Sequence, residues 1–536
     1  MNFLSSLPER AFARPKWCAL GLGLLSACGF EPIHLWPLAL LALALLCELV
    51  LRAGSWRQAA LIGWLFGLAH FTLGNNWIAT AFTYQAAMPA WLGWIAVVAL
   101  ACYLAVYPML AVVAAWLVAR RFGERGLVLV PALAGCWVIT EWLRAHVFTG
   151  YAWKPLAMIA LGGFERPGFA LVAPWMGTYA LSGMVLLLAG TGWLAVSRRR
   201  SWIHAGTILA AIALAFAGPW RGPGAAITGA TAFTLVQPNI PQDELNDPAM
   251  FETQFVKTAR LTIAHPGEFP APGERRLVLW PESGVPDYLR PGYPQAFYNE
   301  TTFAADPLLA RRRIGQVIGQ DSMLLTGTVD LEMKGRKVAG ARNAVTALDD
   351  SGKIRASYAK AHLVPYGEYL PMREWLAPLG LARLVPGDID FWPGPGPRTL
   401  NLGSWGKAGV QICYEIVFSG EVIDAAHRPD FLFNPSNDGW FGSWGPPQHL
   451  AQARLRAIEE GVPVLRSTTT GISAVVDAHG VVRQHLGRNV AGRLDGMIPA
   501  ALPPTLFARL GNWLALGWGV AMLGLALLAG RGLRRK

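Results

Sequence analysis

Val410-Gln411-Ile412-Cys413-Tyr414-Glu415 reads as a short apolar strand ending in a cysteine and then a carboxylate. Five other cysteines, Cys18, Cys28, Cys47, Cys102 and Cys136, lie in strongly apolar N-terminal segments, so Cys413 is the single thiol in sequence that reads as water-soluble. With no partner thiol in its own domain, it is either inert packing or a reactive group. A cysteine on a buried strand is most often a small hydrophobe, so the rest of the chain has to decide which reading holds.

Hydrophobic residues make up 53% of the 536 positions and charged residues 15%, a balance that fits a membrane protein better than a soluble enzyme. The net charge of +12 does not point to nucleic acid, because the arginines form short clusters between apolar runs rather than a mixed basic and aromatic surface. About 20 apolar residues cross a bilayer. Seven runs of that kind precede the soluble part, at 16–30, 34–51, 57–81, 89–118, 126–145, 168–196 and 203–219, and an eighth follows at 508–530. Basic clusters occupy every second loop: Arg10, Arg14 and Lys16; Arg52 and Arg57; Arg120, Arg121 and Arg125; Arg198, Arg199 and Arg200; and Arg531, Arg534, Arg535 and Lys536 at the end. Positive loops stay in the cytoplasm, so both termini are expected there and the soluble segment outside. Leu25-Ser26-Ala27-Cys28 has the form of a lipoprotein cleavage signal, but the apolar sequence that follows makes it part of a span. Glu141 and Arg144, one helical turn apart, are expected to form a structural ion pair, and Glu48 and His70 stay open between structure and function.

Residues 220–505 are expected to form one large α/β domain, between a membrane domain at 1–219 and a closing span with a basic tail at 506–536. Its strand-like runs include 233–237, 277–280, 324–329, 344–348, 410–412, 431–434, 462–466 and 473–477, with helical patterns at 250–263 and 449–460. Three polar groups follow apolar runs directly: Glu282 after Leu277 to Pro281, Lys360 after Ile354 to Ala359, and Cys413 after Val410 to Ile412. Sites in α/β sheets collect at the carboxyl ends of strands. A carboxylate, an amine and a thiol there can serve as base, oxyanion partner and nucleophile. Taken singly, Glu282 is more often a solvated turn carboxylate and Lys360 a surface lysine.

The stretches Trp280-Pro281-Glu282-Ser283, Tyr358-Ala359-Lys360-Ala361-His362-Leu363-Val364-Pro365-Tyr366-Gly367-Glu368 and Cys413-Tyr414-Glu415 resemble the Glu-Lys-Cys motifs of the nitrilase superfamily. With Asn434-Pro435-Ser436-Asn437-Asp438-Gly439-Trp440-Phe441-Gly442, the membrane half and the closing span, nearly the full length resembles the bacterial apolipoprotein N-acyltransferases. One departure is visible. Many members carry a Lys-Trp pair after the stretch Gln237 to Gln242, where this chain has Asp243-Glu244-Leu245-Asn246, which puts any contact made by that tryptophan in doubt.

The resemblance implies a fold of about eight membrane spans plus a nitrilase-like α/β domain of four-layer αββα architecture. It implies Cys413 as nucleophile, Glu282 as general base and Lys360 as oxyanion stabiliser. It further implies a phospholipid as acyl donor, a thioester on Cys413, and the α-amine of a diacylglyceryl apolipoprotein as acceptor, at the outer face of the bacterial inner membrane. Glu368 matches the family's second essential carboxylate and is expected to orient Lys360 or the amine. Tyr414, Glu415, Asn437 and Trp440 are expected to support the site or bind substrate. Trp375 and Leu376, in an apolar loop, are expected either to act as a lid at the lipid interface or to pack over the sheet. No cofactor, no metal site and no nucleic-acid partner is expected, and the chain is expected to act as a monomer in the bilayer. Two rivals remain on the residues alone: a membrane-tethered nitrilase-type amidase in which water resolves the thioester, and a non-enzymatic transport or scaffold protein.

Overall fold

Runs of β-branched and apolar residues broken by Gly, Pro and Asp pair into sheets only where long-range partners complete them. In the computed structural model, which describes residues 12–84, 88–122, 125–197, 210–216, 228–335, 337–376, 378, 384 and 389–534, those partners are found in two six-stranded sheets. The chain divides into two compact units, one made of Met1–Ala79, Trp91–Arg221 and Pro504–Lys536, the other of Thr80–Ala90 and Gly222–Pro503.

The first unit is helical. Its helices are α1 (Pro15–Ala27), α2 (Trp36–Arg52), α3 (Trp56–Gly74), α4 (Leu92–Leu104), α5 (Val106–Arg120), α6 (Arg125–His146) and α7 (Gly177–Ser197), with Asn512–Arg534 closing the chain. Four stretches among the described residues are long and apolar enough to cross a membrane: Leu92–Arg120, Gly126–His146, Gly177–Ser197 and Asn512–Arg531. Small residues bring these helices close, as expected where apolar surface gains nothing from leaving lipid. A Cβ on Gly23 of α1 would lie 2.3 Å from the Phe66 carbonyl of α3, and one on Gly135 of α6 would lie 2.6 Å from the Gly519 carbonyl. Two apolar runs differ from their expected outlines. The run at 168–196 starts with a 3₁₀ segment, Gly168–Trp175, containing Pro174, before α7 begins at Gly177. The run at 57–81 leaves its helix at Gly74. Most of the expected seventh span at 203–219, the expected boundary at 219/220, and the basic positions Arg10, Arg198 to Arg200, Arg535 and Lys536 lie outside the described residues; 210–216 is helical. Glu141 and Arg144 do pair, at 3.8 Å and fully buried, and Glu141 also accepts from Leu156 N–H at 2.9 Å. Glu48 accepts from Arg52 at 2.6 Å and from the Trp193 indole at 3.0 Å. His70 is buried and stacks on Phe66.

The second unit holds strands β1 (Thr228–Gln237), β2 (Arg276–Leu279), β3 (Ser322–Lys334), β4 (Lys337–Asp349), β5 (Ile354–Ala359), β6 (Thr399–Asn401), β7 (Lys407–Val410), β8 (Phe431–Ser436), β9 (Val464–Thr468), β10 (Ser473–Val476), β11 (Val482–Leu486) and β12 (Gly492–Pro499). The first sheet runs β12-β1-β2-β3-β4-β5 and the second β11-β10-β9-β8-β7-β6. Each has three parallel strands, β1, β2, β3 and β7, β8, β9, flanked by antiparallel neighbours. Side chains bind β1 to β9 across the gap: Ser467 donates to the Val236 carbonyl at 2.7 Å and Thr468 to Gln237 Oε1 at 2.9 Å. Helices α8 (Phe251–Thr262) and α9 (Pro307–Ile318) bury Phe255, Ala259, Ala310 and Ile314 against Val236, Val278, Trp280 and Leu324 of the first sheet. Helix α10 (Gly445–Glu460) packs against β9 and β10 and is buried on every side, despite carrying Arg454, Arg456, Glu459 and Glu460.

Those buried charges have a measurable consequence at the end of α10. Burial and the neighbouring Glu459 charge push the Glu460 carboxyl up to about 8, against the pull of Arg456 and Arg428, and its Oε2 has no hydrogen-bond partner. A carboxyl with a raised folded-state value stabilises most while protonated in both states. Its contribution is complete below the unfolded value and is lost as pH rises through about 8. Glu460→Gln is expected to remove this loss, which is on the order of 5 kcal/mol at about 1.4 kcal/mol per unit. Melting temperatures of the purified protein from pH 5 to 9 check this: wild type should fall relative to the variant, and parallel curves would refute it.

Candidate active site

Glu282, Lys360 and Cys413 each leave the end of a strand. Glu282 lies just beyond β2, Lys360 is the first residue after β5, and Cys413 opens a 3₁₀ turn, Cys413–Val417, shortly after β7. The strand expected through Ile412 ends at Val410, two residues short of the turn that carries the thiol. All three side chains are buried, at 7%, 2% and 4% exposure.

Lys360 Nζ lies 3.0 Å from Glu368 and 3.7 Å from Glu282 Oε1. Asn343, on β4, donates through Nδ2 to both carboxylates, at 2.7 Å to Glu282 and 2.9 Å to Glu368. Its carbonyl also accepts the Lys360 N–H at 2.8 Å. The second oxygen of Glu282 accepts from Asn437 N–H at 2.8 Å. Burial alone would favour the neutral Lys360 amine, but the neighbouring Glu368 and Glu282 carboxylates outweigh it and hold the pKa raised, so the amine stays charged. Burial, and then the Glu282 charge, push the Cys413 thiol well above its ordinary value, with Lys360 pulling the other way. The resting site therefore holds a neutral thiol beside a carboxylate that can take its proton and an ammonium that can meet a developing oxyanion.

The remaining expected residues fall into distinct places. Glu415 ties the Lys360 loop to the Cys413 turn: Oε1 accepts from Tyr358 Oη and Ala361 N–H, both at 2.7 Å, and Oε2 from Ile412 N–H at 2.7 Å. Burial raises its carboxyl to about 7. Tyr414 is buried edge-on against Phe418. Asn437 donates to Gln242 Oε1 at 2.7 Å and accepts from Thr469 Oγ1 at 2.9 Å. Trp440 is half-buried, with its ring edge-on to Tyr84, 5.9 Å between centres. Trp375 is 77% exposed and Leu376 half-buried, near the exposed Tyr366 and Met372. In the departing stretch, Leu245 is buried within a turn. Among the described residues no group of three or more His, Cys, Asp or Glu side chains could hold a metal ion.

Sequence reasoning missed Asn343 and the buried group Asp438, His449 and Arg466. His449 Nε2 lies 3.0 Å from the Cys413 carbonyl and Nδ1 lies 3.0 Å from Asp438 Oδ1, while Arg466 Nη2 bonds Asp438 at 2.6 and 2.7 Å. Burial opposes ionisation of Asp438, but Arg466 and His449 hold its carboxyl down at about 2. Asp438 stood inside a quoted motif and could have been singled out; Asn343 and His449 had no flanking signal.

Residues 234–502 match the carbon-nitrogen hydrolase family model, so the two-sheet unit is a nitrilase-like domain. Residues 22–191 match a second model, the apolipoprotein N-acyltransferase N-terminal domain. Two curated relatives are the apolipoprotein N-acyltransferases of Bradyrhizobium diazoefficiens, 34% identical over 92% of this chain and 91% of its own, and of Rhodopseudomonas palustris, 32% identical over the same shares. A third, from Nitrosomonas europaea, is 31% identical over 96% of both chains. The chain belongs to the apolipoprotein N-acyltransferase family. Among solved structures, the amidase from Nesterenkonia sp. AN1 is 19% identical and covers 54% of this chain and 96% of its own at a TM-score of 0.32, too low for a comparison of sites.

Proposed function

We propose that this chain moves an acyl chain from a phospholipid to the α-amine of the diacylglyceryl-cysteine of an apolipoprotein, through a thioester on Cys413. In the first half, Glu282 takes the Cys413 proton as sulfur attacks the ester carbonyl. Lys360 stabilises the oxyanion, the C–O bond breaks, and the proton passes to the leaving lysophospholipid. In the second half, the amine attacks the thioester carbonyl and gives a proton to Glu282. The C–S bond breaks, an amide remains, and Cys413 regains its proton. Glu368 keeps Lys360 charged and aimed, and Glu415, Tyr414 and Asn437 hold the loops that carry the reacting groups.

The observation that carries this reading is the buried Lys360 ammonium between Glu282 and Glu368 beside a neutral Cys413 thiol, in a chain that matches its relatives over both units. We read residues 1–219 as a membrane domain of seven spans, 220–505 as a catalytic domain with αββα layering, and 506–536 as an eighth span and tail. The alternation of basic loops supports cytoplasmic termini and a periplasmic catalytic domain of an inner-membrane protein. The exposure of Trp375 and Met372 favours a loop that meets lipid over one that packs on the sheet. We take the active form as a monomer with no cofactor.

Intact mass of the purified protein after incubation with phospholipid vesicles tests the chemistry. An acyl-sized increase on Cys413 is expected, discharged by an N-terminal diacylglyceryl-cysteine peptide and absent in Cys413→Ala. An adduct that turns over to free fatty acid without the peptide would instead mark a hydrolase and overturn the transferase reading.

A further inference from the structure

Cys413 has φ +50°, in the left-handed region that non-glycine residues occupy at a cost of roughly 1–3 kcal/mol. Such a conformation persists where surrounding groups over-determine it. Inside the turn, Glu415 Oε2 accepts from Ile412 N–H at 2.7 Å, while the Cys413 carbonyl is met from outside it.

We propose that His449 is a positioning residue for the Cys413 nucleophile: its imidazole grips the Cys413 carbonyl and fixes the strained turn that aims the thiol. This rests on the reading of Cys413 as nucleophile. The carbonyl oxygen can only accept, so the bond at 3.0 Å requires the proton on Nε2. Nδ1 lies 3.0 Å from both Asp438 Oδ1 and Arg466 Nη2, so these two side chains fix the far edge of the ring. Asp438 holds that guanidinium in place. Burial and the Arg466 charge depress protonation of the ring, while the Asp438 carboxylate opposes them.

Arg466 acts twice. Its Nη1 also bonds Asn434 Oδ1 and Ser436 Oγ, the latter at 2.9 Å. Asn434 Nδ2 in turn donates to the Gln411 carbonyl at 2.6 Å and reaches the Cys413 carbonyl at 3.4 Å. One buried guanidinium thus braces both side chains that hold the backbone on either side of Ile412. His449, Asn434 and Arg466 are all 0% exposed, and Asp438 is 2% exposed. A network this closed can transmit position without touching substrate. Neither His449 nor Arg466 is needed for a proton transfer in the scheme above.

The test uses the full-length protein with phospholipid vesicles and follows the rate of Cys413 acylation by intact mass, alongside melting temperature. His449→Phe removes the donor at constant bulk, and His449→Gln places an amide N–H near the Nε2 position. Acylation in the Phe variant is expected to fall at least about a hundredfold in kcat with KM for phospholipid within about threefold, and the Gln variant to recover most of the loss. Alkylation of Cys413 by iodoacetamide should change in the Phe variant and return toward wild type in Gln. If the Phe variant fails to fold, His449→Asn, too short to reach the carbonyl, carries the same expectation against Gln. Equal losses in Phe, Asn and Gln, or losses that only track the folded fraction, overturn the positioning role. Absence of any Cys413 adduct in wild type overturns the nucleophile reading itself, and the inference falls with it.

Discussion

Replacing Lys360 by methionine is expected to cut turnover about a thousandfold while a compensating second change restores the fold without restoring activity. In the proposed scheme the ammonium meets the oxyanion, and losing one preorganised oxyanion donor costs roughly 3–4 kcal/mol of transition-state stabilisation. Lys360 is also 2% exposed, with Glu368 at 3.0 Å and Glu282 at 3.7 Å. Methionine fills a similar volume but leaves two buried carboxylates facing each other across Asn343 Nδ2. Removing one partner from a buried ionic group typically costs about 3–5 kcal/mol. The two effects separate in the double variant Lys360→Met/Glu368→Gln. With one carboxylate neutralised, melting temperature should rise well above that of the single variant, while acylation stays about a thousandfold down. Recovery of turnover in the double variant would mean that Lys360 matters only as a counter-ion.

Local chemistry made parts of this molecule readable and left others closed. Lys360 and Glu368 lie eight positions apart within one loop, so their pairing could be anticipated from the motif that carries both. Glu282 and Cys413 could be placed because each follows an apolar run at a strand end. Asn343 could not: it lies on β4, and its role depends on β4 lying beside β5 and on carboxylates 61 and 25 positions away. His449 meets Cys413 across 36 positions, and Arg466 meets Asp438 across 28. Neither separation has a periodic signature. The same limit explains the short strands β6 and β11 and the strand β12, none of which was expected. β12 pairs with β1 across most of the domain, and its polar residues Arg493 and Asp495 hide the strand pattern. In the first unit, apolar composition located the runs but not their conformation. Gly168–Trp175 is as apolar as the helix after it yet forms a 3₁₀ segment, where Pro174 cannot supply a backbone donor. The segment Thr80–Ala90 clusters with the nitrilase-like unit through pairs such as Tyr84 with Trp440, a long-range choice that hydropathy cannot report.

Glu282→Gln is expected to make Cys413 more acidic and yet nearly abolish turnover. After burial, the Glu282 charge is the largest influence raising the thiol, and Lys360 opposes it. Neutralising position 282 leaves the ammonium as the dominant neighbour, so alkylation of Cys413 by iodoacetamide should reach its plateau at lower pH than in wild type. A more available thiolate would by itself speed attack on an ester. Turnover is expected to fall about 10²–10⁴-fold all the same, because a general base also returns its proton to the leaving group and takes one from the incoming amine. Glutamine is nearly isosteric, but its amide nitrogen must face one of two donors that now serve the carboxylate, Asn437 N–H at 2.8 Å or Asn343 Nδ2 at 2.7 Å. A small fall in melting temperature is therefore expected as well. Separating the half-reactions gives the sharper result. Acylation by an activated thioester donor, whose thiolate leaves without protonation, should suffer less than acylation by phospholipid, whose alkoxide does not. Equal losses with both donors, or turnover within tenfold of wild type, would remove Glu282 from proton transfer and leave it as the counter-ion of Lys360.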